Sequence, residues 1–579
     1  MNAARRGTSA ALLHQQEYHV IDRLIGIRNP LRPSPARLPL AAAAGLALLA
    51  ACGGDGDGSP APSASFTEAC AALAGTSVDK GSVDTAAFTT ATGGTLTATS
   101  MPDHCLVRGA MNRRTGIDGK PYALQFELRL PLVWNSRFYY QGGSGVDGTL
   151  FTATGSYPAG GNTRNALLDG YAVVTTDSGH LTEAGAANGM FLFGADPQAR
   201  DEYGDAQLPL VTAAAKTLIK RFYGDEPSHS YFVGCSNGGR QAMVAAQRYP
   251  QLFDGIVAAA PGFRLTQASI QGSVYQAQLA ATIAPSGADG RPDITQPLTA
   301  GERAVVSQRI LDACDALDGA VDGMVSKMSA CQPDPATWAC GAGETTNCLP
   351  AAKAGYVKKL FAGAYTSTGQ QIYAPWPFDP GMAAQATNPF HFIFAGEASH
   401  IYTTPPTLTA DLVGYSLGAN IDVEFAKLSA ISGLFKRSGN AFTNADSPDM
   451  DAFKARGGKL IMFNGAADLA FSNHDLVRYY EQVRSRYGAD AAAGFARVFL
   501  VPGMAHCSGG PYGTDQFDAF GALVRWVEAG TAPDTMTSTA RAAAGVAWPG
   551  RTRPLCAYPK EAIYKGSGSI EDAANFACQ

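Results

Sequence analysis

The run Gly234-Cys235-Ser236-Asn237-Gly238 constrains this chain more than any other stretch. It follows an apolar strand-like run, Ser230-Tyr231-Phe232-Val233, and precedes Arg240 to Tyr249, a segment of helical composition stopped by Pro250. A serine with glycine two residues away on either side, between a strand and a helix, forms a nucleophile elbow, a turn so tight that its serine stands clear of the backbone. Such a turn exists only where a buried sheet delivers the strand and packs the helix. Two cysteines extend the constraint, since Cys235 precedes that serine and Cys507 follows His506 in Met504-Ala505-His506-Cys507. If the two are joined, one covalent bond holds the serine and the histidine side by side.

The flanking sequence reads as α/β. Arg137 to Tyr140 is a strand running into Gly142-Gly143-Ser144-Gly145, and Tyr171 to Thr176 is a second strand, ending at Asp177. Leu208 to Tyr223 has helical spacing, and Ile256 to Ala260 is the strand after the elbow helix. From 263 to 444 the regularity breaks into cysteine loops rich in Pro, Thr and Ala, and strand-like runs resume at Lys459 to Phe463 and Val498 to Val501. The pattern predicts an α/β-hydrolase fold, residues 66–262 and 445–579, with a large inserted lid domain over 263–444.

A serine hydroxyl needs a base to take its proton and an acid to orient the base. In this fold they follow the nucleophile in the order acid, then histidine. Asp468 stands just past the run ending Phe463-Asn464-Gly465, and His506 just past Val501-Pro502-Gly503. The expected catalytic set is Ser236, Asp468 and His506. The backbone N–H of Asn237 supplies one oxyanion donor, and the glycine loop 142–145 the other. A catalytically idle, calcium-stabilised surface binding protein on the same fold would have no need of an ordered triad.

Net charge of -5 and a pI near 6.0 supply no basic field, which excludes nucleic acid as a partner. No obligate protein partner is evident. Arg32 and Arg37 precede the apolar stretch Leu38 to Ala51, which ends Leu49-Ala50-Ala51-Cys52. That is an export signal over residues 1–52 with a lipobox-like end, making Cys52 a candidate lipid anchor and the destination periplasmic, outer-membrane-anchored or secreted. Residues 53–65 (GGDGDGSPAPSAS) read as a flexible tether. Setting Cys52 aside leaves an even ten cysteines, which in an oxidising compartment suggests five disulfides. Local candidates are Cys70–Cys105, Cys314–Cys331, Cys340–Cys348 and Cys556–Cys578, which leaves Cys235 with Cys507. The sequence does not fix that connectivity, and zinc is the competing use, although no C-x-x-C pair occurs.

The segment from Asp315 to Met324 (DALDGAVDGM) sets three carboxylates at short spacing between glycines, hard oxygen ligands suited to calcium without the length or terminal Glu of an EF-hand. Phe390, Phe392, Phe394 and Tyr402 are candidates for an aromatic-lined substrate slot in the lid.

Together, Cys-Ser, Asp and His-Cys resemble the tannase and feruloyl esterase family. Arg114 to Gly119, Tyr231 to Ser236, Gly255 to Ala258, Val501 to Cys507 and Arg551 to Cys556 carry the likeness, which spans nearly all of Cys70 to Cys578 except the lid centre. The resemblance implies a serine esterase acting on small esters of aromatic acids. It maps the second oxyanion donor onto Gly145 and a ring-packing aromatic onto Phe471. It maps a structural Ca2+ onto Asp315, Asp318 and Asp322, with the carbonyls of Ala320 and Met324. Where one branch of the family grips a free substrate carboxylate with a lid arginine, this chain has no Arg between Leu311 and Lys436, and the matching stretch, Phe394 to Pro406, is shorter. That removes a bidentate clamp which lysine does not replace in kind.

Overall fold

Strand β7 (His229–Cys235), which carries the elbow, lies in the middle of one twisted sheet. The structure, a computed structural model, describes residues 64–385 and 389–579; the signal segment with Cys52, and all but the end of the tether, lie outside the described residues. The sheet begins with β1 (Ser77–Val78), β2 (Gly81–Thr89), β3 (His104–Thr115) and β4 (Pro121–Pro131), an antiparallel meander. It continues through β5 (Arg137–Gln141), β6 (Ala172–Thr176), β7 and β8 (Gly255–Ala259). A small lid hairpin, β9 (Ala364–Tyr365) and β10 (Gln371–Tyr373), stands apart from it. The main sheet closes with β11 (Lys459–Gly465) and β12 (Ala496–Val501). Among the described residues its order is β1-β2-β3-β4-β6-β5-β7-β8-β11-β12, parallel from β6 onward.

The parallel strands are apolar on both faces because helices cover both. In β7, Phe232 points to one core while Tyr231 and Val233 point to the other; in β8, Ile256 and Ala258 oppose Val257 and Ala259. On the first face Leu208, Val211, Ala215 and Leu218 of the helix Gln207–Tyr223 form one buried stripe. On the second, Phe520, Leu523 and Trp526 of Ala519–Ala529 do the same.

Residues 263–444 are inserted between β8 and β11, which are themselves parallel neighbours in the sheet. The insertion is mainly helical and has its own apolar cluster, including Val306, Ile310, Trp338, Phe361 and Trp376. Its helix Ala300–Cys314 starts from a capping box made by Thr299 and Glu302. Lid and sheet residues belong to one compact unit. The buried Arg200 joins them, donating from Nε to the Gly194 carbonyl (2.5 Å) and from Nη2 to the His400 carbonyl (3.0 Å). No helix among the described residues is long and apolar enough to cross a membrane.

Candidate active site

Ser236 sits between the end of β7 and the start of the helix Asn237–Arg248, with φ 62° and ψ −120°. This conformation is costly for a residue with a side chain and persists only where the surroundings enforce it. Here the enforcement is packing. A Cβ on Gly238 would lie 2.6 Å from the Gly143 carbonyl oxygen, so glycine lets the elbow touch the loop after β5. The Ser236 N–H donates to the Ala259 carbonyl (3.1 Å), and its own carbonyl accepts from Arg240 N (2.9 Å).

Three side chains predicted to act together are in hydrogen-bond contact. His506 Nε2 lies 2.8 Å from Ser236 Oγ, and Nδ1 lies 2.9 Å from Asp468 Oδ2. With the Nδ1 proton donated to the carboxylate, Nε2 is free to accept the serine proton. Asp468 is buried, and its other oxygen accepts from Ala470 N (2.7 Å) and Phe471 N (3.2 Å), which fixes the carboxylate plane. A lid residue steadies the histidine loop, since buried Asp379 accepts from Gly503 N (2.8 Å) and Gly381 N (2.7 Å). Burial pushes the Asp379 carboxyl up to about 6.

Cys235 and Cys507 form a disulfide, closing a sequence separation of 272 residues. The four local pairs are also joined, so all ten cysteines of the described residues are in disulfides and none is left for zinc.

Around the imidazole, Phe390 packs edge-on to His506 at 4.9 Å between centroids and Phe471 at 5.5 Å. Phe394 lies 6.1 Å from both rings. The structure thus brings Phe471, Phe394 and Phe390 together at the base, whereas Phe392 is 49% exposed and packs 5.5 Å from Phe191. Tyr402 is buried, with its hydroxyl 2.9 Å from that of Tyr203. Gly145 has φ 54°, with nothing within 4 Å of where a Cβ would stand, so the glycine loop presents open space at that point.

The acidic loop has a different environment. Asp315, Asp318 and Asp322 are all buried. Asp315 Oδ1 accepts from Asp322 N and Gly323 N (both 3.0 Å), Asp318 Oδ1 from Ala320 N (3.0 Å), and Asp322 Oδ1 from Met324 N (3.0 Å). Arg553 pairs with Asp322. Burial, reinforced by the Asp322 charge, raises the carboxyls of Asp315 and Asp318, the latter to about 6. Among the described residues no three His, Cys, Asp or Glu side chains are gathered into a metal cluster, and these carboxylates turn toward the loop's own N–H groups. The donor chemistry nevertheless fits a hard divalent cation: buried oxygens carrying more negative charge than one arginine offsets.

Sequence reasoning missed Asp379, and it missed Asp147, Gln241 and Arg240, which lie buried beneath the elbow. An Asp in a glycine-rich loop reads as a turn former, and a Gln or Arg early in a helix reads as solvated, so only the three-dimensional packing reveals them.

With this geometry in view, the comparisons agree with one another. Residues 109–579 match the family model described as tannase and feruloyl esterase. The chain is 40% identical over 534 residues to mono(2-hydroxyethyl) terephthalate hydrolase of Piscinibacter sakaiensis, covering 86% of this chain and 88% of that protein. Among solved structures, an esterase from Aspergillus oryzae superposes with a TM-score of 0.72 at 26% identity, covering 89% of this chain and all of that one. Feruloyl esterase B from the same organism shares the fold, with a TM-score of 0.71 at 24% identity over 89% of this chain and 100% of that one.

Proposed function

The chain belongs to the tannase and feruloyl esterase family and is a carboxylic ester hydrolase, and on that premise we propose that Ser236, His506 and Asp468 hydrolyse small esters of aromatic acids outside the cytoplasm. The observation that carries this reading is the unbroken hydrogen-bond chain from Ser236 Oγ through His506 to Asp468. His506 Nε2 takes the serine proton as Oγ attacks the ester carbonyl, and Asp468 stabilises the imidazolium. The N–H groups of Gly145 and Asn237 receive the developing oxyanion. His506 then returns the proton to the departing alcohol, and water activated by the same nitrogen releases the aromatic acid. The rings of Phe471, Phe394 and Phe390 supply an apolar, aromatic surface for the acyl group next to the base. Five disulfides and the export signal read from the sequence support an exported protein, with Cys52 as a candidate anchor.

The substrate reading is mono(2-hydroxyethyl) terephthalate, cleaved to terephthalate and ethylene glycol, on the strength of the 40% identical relative. A second reading, hydroxycinnamoyl or gallate esters, is favoured by one specific observation: no arginine lies between Leu311 and Lys436 to hold a free carboxylate. A panel of the terephthalate monoester, methyl ferulate and methyl gallate, with Ser236→Ala as the blank, separates them. Terephthalate release that depends on Ser236 is expected. Its absence beside clear ferulate or gallate release would replace the first reading with the second.

The acidic loop, by the same argument, takes a structural Ca2+ on Asp315, Asp318 and Asp322 with the carbonyls of Ala320 and Met324. A bound cation would neutralise the buried carboxylates and stiffen the lid, with no part in the chemistry at Ser236. At calcium a hundredfold above its Kd the gain is about 2.7 kcal/mol, so in a compact unit of this size EGTA is expected to lower Tm by roughly 2–3 °C, and Asp318→Asn to abolish the response. Identical melting in calcium and in EGTA would remove the metal from this account.

A further inference from the structure

A buried carboxylate lies directly under the two loops that supply the oxyanion donors. Asp147 is in the glycine loop itself, at φ 52°, and is 5% exposed. Its Oδ1 accepts from the Asn237 side-chain amide. Its Oδ2 accepts from Gln241 Nε2 (2.8 Å) and from the Ser178 hydroxyl. A Cβ on Gly143 would stand 2.6 Å from either Asp147 oxygen, so the carboxylate packs against the backbone of the loop it belongs to.

Two further ties close the arrangement. Gln241 Oε1 accepts from the Gly143 N–H (2.9 Å), and Asn237 Oδ1 accepts from Arg240 Nε (2.8 Å). Arg240 is held in turn by the carbonyls of Gly204 (2.6 Å) and Tyr203 (2.9 Å). Asn237, Arg240, Gln241 and Ser178 are all buried. The mechanism above uses only the backbone N–H of Asn237, so its side chain and these partners have no role in it.

Asp147 makes no direct ion pair among the described residues, the charge of Arg240 beyond Asn237 offsets part of its burial, and a carboxylate so placed is costly unless its hydrogen bonds are needed. What they join is informative. Asn237 and Gln241 belong to the elbow helix, Ser178 follows β6, and Asp147 lies two residues past Gly145. The β5–β7 ladder ends where the Gly142 N–H donates to the Val233 carbonyl (2.9 Å), so beyond it this carboxylate ties the segment of Gly145 to the segment of Asn237 through side chains. Donors aimed at an oxyanion are effective only when held before the reaction begins.

We propose that Asp147 is the positioning residue of the oxyanion hole, locking the Gly145 arm to the Asn237 arm, with Gln241 as a second tie. The inference rests on the esterase reading of Ser236. Its effect falls on the transition state rather than on substrate binding, because the carboxylate is buried under the site.

The test uses Asp147→Ala and Asp147→Asn in the oxidised, calcium-loaded protein. It follows kcat and KM separately, Tm, and affinity for an aryl trifluoromethyl ketone, which forms an oxyanion on serine, against affinity for the product acid. Asp147→Ala is expected to lower kcat by about 10²-fold with KM within about threefold, and to weaken the ketone by a similar factor while the acid binds as before. Asp147→Asn keeps the shape and one acceptor and should recover about tenfold of the loss. If Asp147→Ala does not fold, Gln241→Met, which cuts the tie to Gly143, carries the same expectation at a smaller size. A variant with unchanged kcat, or one in which ketone, acid and KM all weaken together, overturns the proposal. If Ser236→Ala keeps full activity, the esterase reading fails first and is recognised as such.

Discussion

Ser236→Ala is expected to lower kcat/KM on the best ester of the panel by about 10⁵-fold, leaving a residual rate from binding and the oxyanion donors alone. In the proposed mechanism the Ser236 oxygen bonds to the substrate and gives its proton to His506 Nε2, 2.8 Å away. His506→Ala should cost about as much, and the double variant little more, because the two side chains act as a unit. Stability is the control. Ser236 occupies a strained backbone position at φ 62°, which alanine shares, so Tm should stay close to that of the parent. A fluorophosphonate label on the parent and none on the alanine variant gives an independent readout. Retained turnover in Ser236→Ala would remove the serine from the chemistry, whatever its geometry.

Opening the Cys235–Cys507 disulfide by the paired substitution Cys235→Ser and Cys507→Ser should have the next largest effect. The bond ties the residue before Ser236 to the residue after His506. Its loss frees the histidine loop to move by fractions of an ångström, and a displacement near 1 Å costs about 10²-fold in rate. Stability falls as well. A 272-residue separation gives an upper bound of about 5.6 kcal/mol in the chain-entropy treatment, which the other cross-links reduce. The matched control is Cys340→Ser with Cys348→Ser, which opens a loop of separation 8 within the lid. That variant should lose stability without a comparable loss of kcat. Near-parent activity in the Cys235 and Cys507 variant would show the bond to be incidental to catalysis.

Much of this is legible in the sequence. Strands β5 to β8, β11 and β12 announce themselves as short apolar runs ended by Gly, Pro or Asp, and those same ends hold Ser236, Asp468 and His506. Local spacing plus the remainder made the five cysteine pairs candidates without fixing them, and the structure joins all five. The antiparallel strands β2 and β3 are hard to read because their alternation is broken by register shifts near Asp84 and Asn112, whereas β4 alternates without a break (Tyr122, Leu124, Phe126, Leu128, Leu130) and was overlooked. Nor did the sequence separate Phe392, which faces away toward Phe191, from Phe390 and Phe394: positions two apart on a helix diverge by about 200°, but the short helix from His391 was not recognised. The network around Asp147 was invisible for a different reason: each member is ordinary alone, and only long-range packing assembles Asp147, Ser178, Asn237 and Gln241. In the acidic loop the spacing suggested ligands, whereas the fold shows how far each carboxylate is already used by backbone N–H groups.

The insertion between β8 and β11 also sets a timetable for synthesis. Val257 pairs with Ile461, so one side of β8 waits for roughly two hundred further residues to be made before its neighbour exists. At about 5–20 residues per second that interval is about 10–40 s, during which a nascent chain would show an apolar strand edge to anything nearby. Folding after the whole polypeptide has been delivered across a membrane avoids the exposure altogether. On this view the lid and the proposed export are linked: an architecture that leaves its central sheet open for so long favours a chain held unfolded until its last strand has arrived.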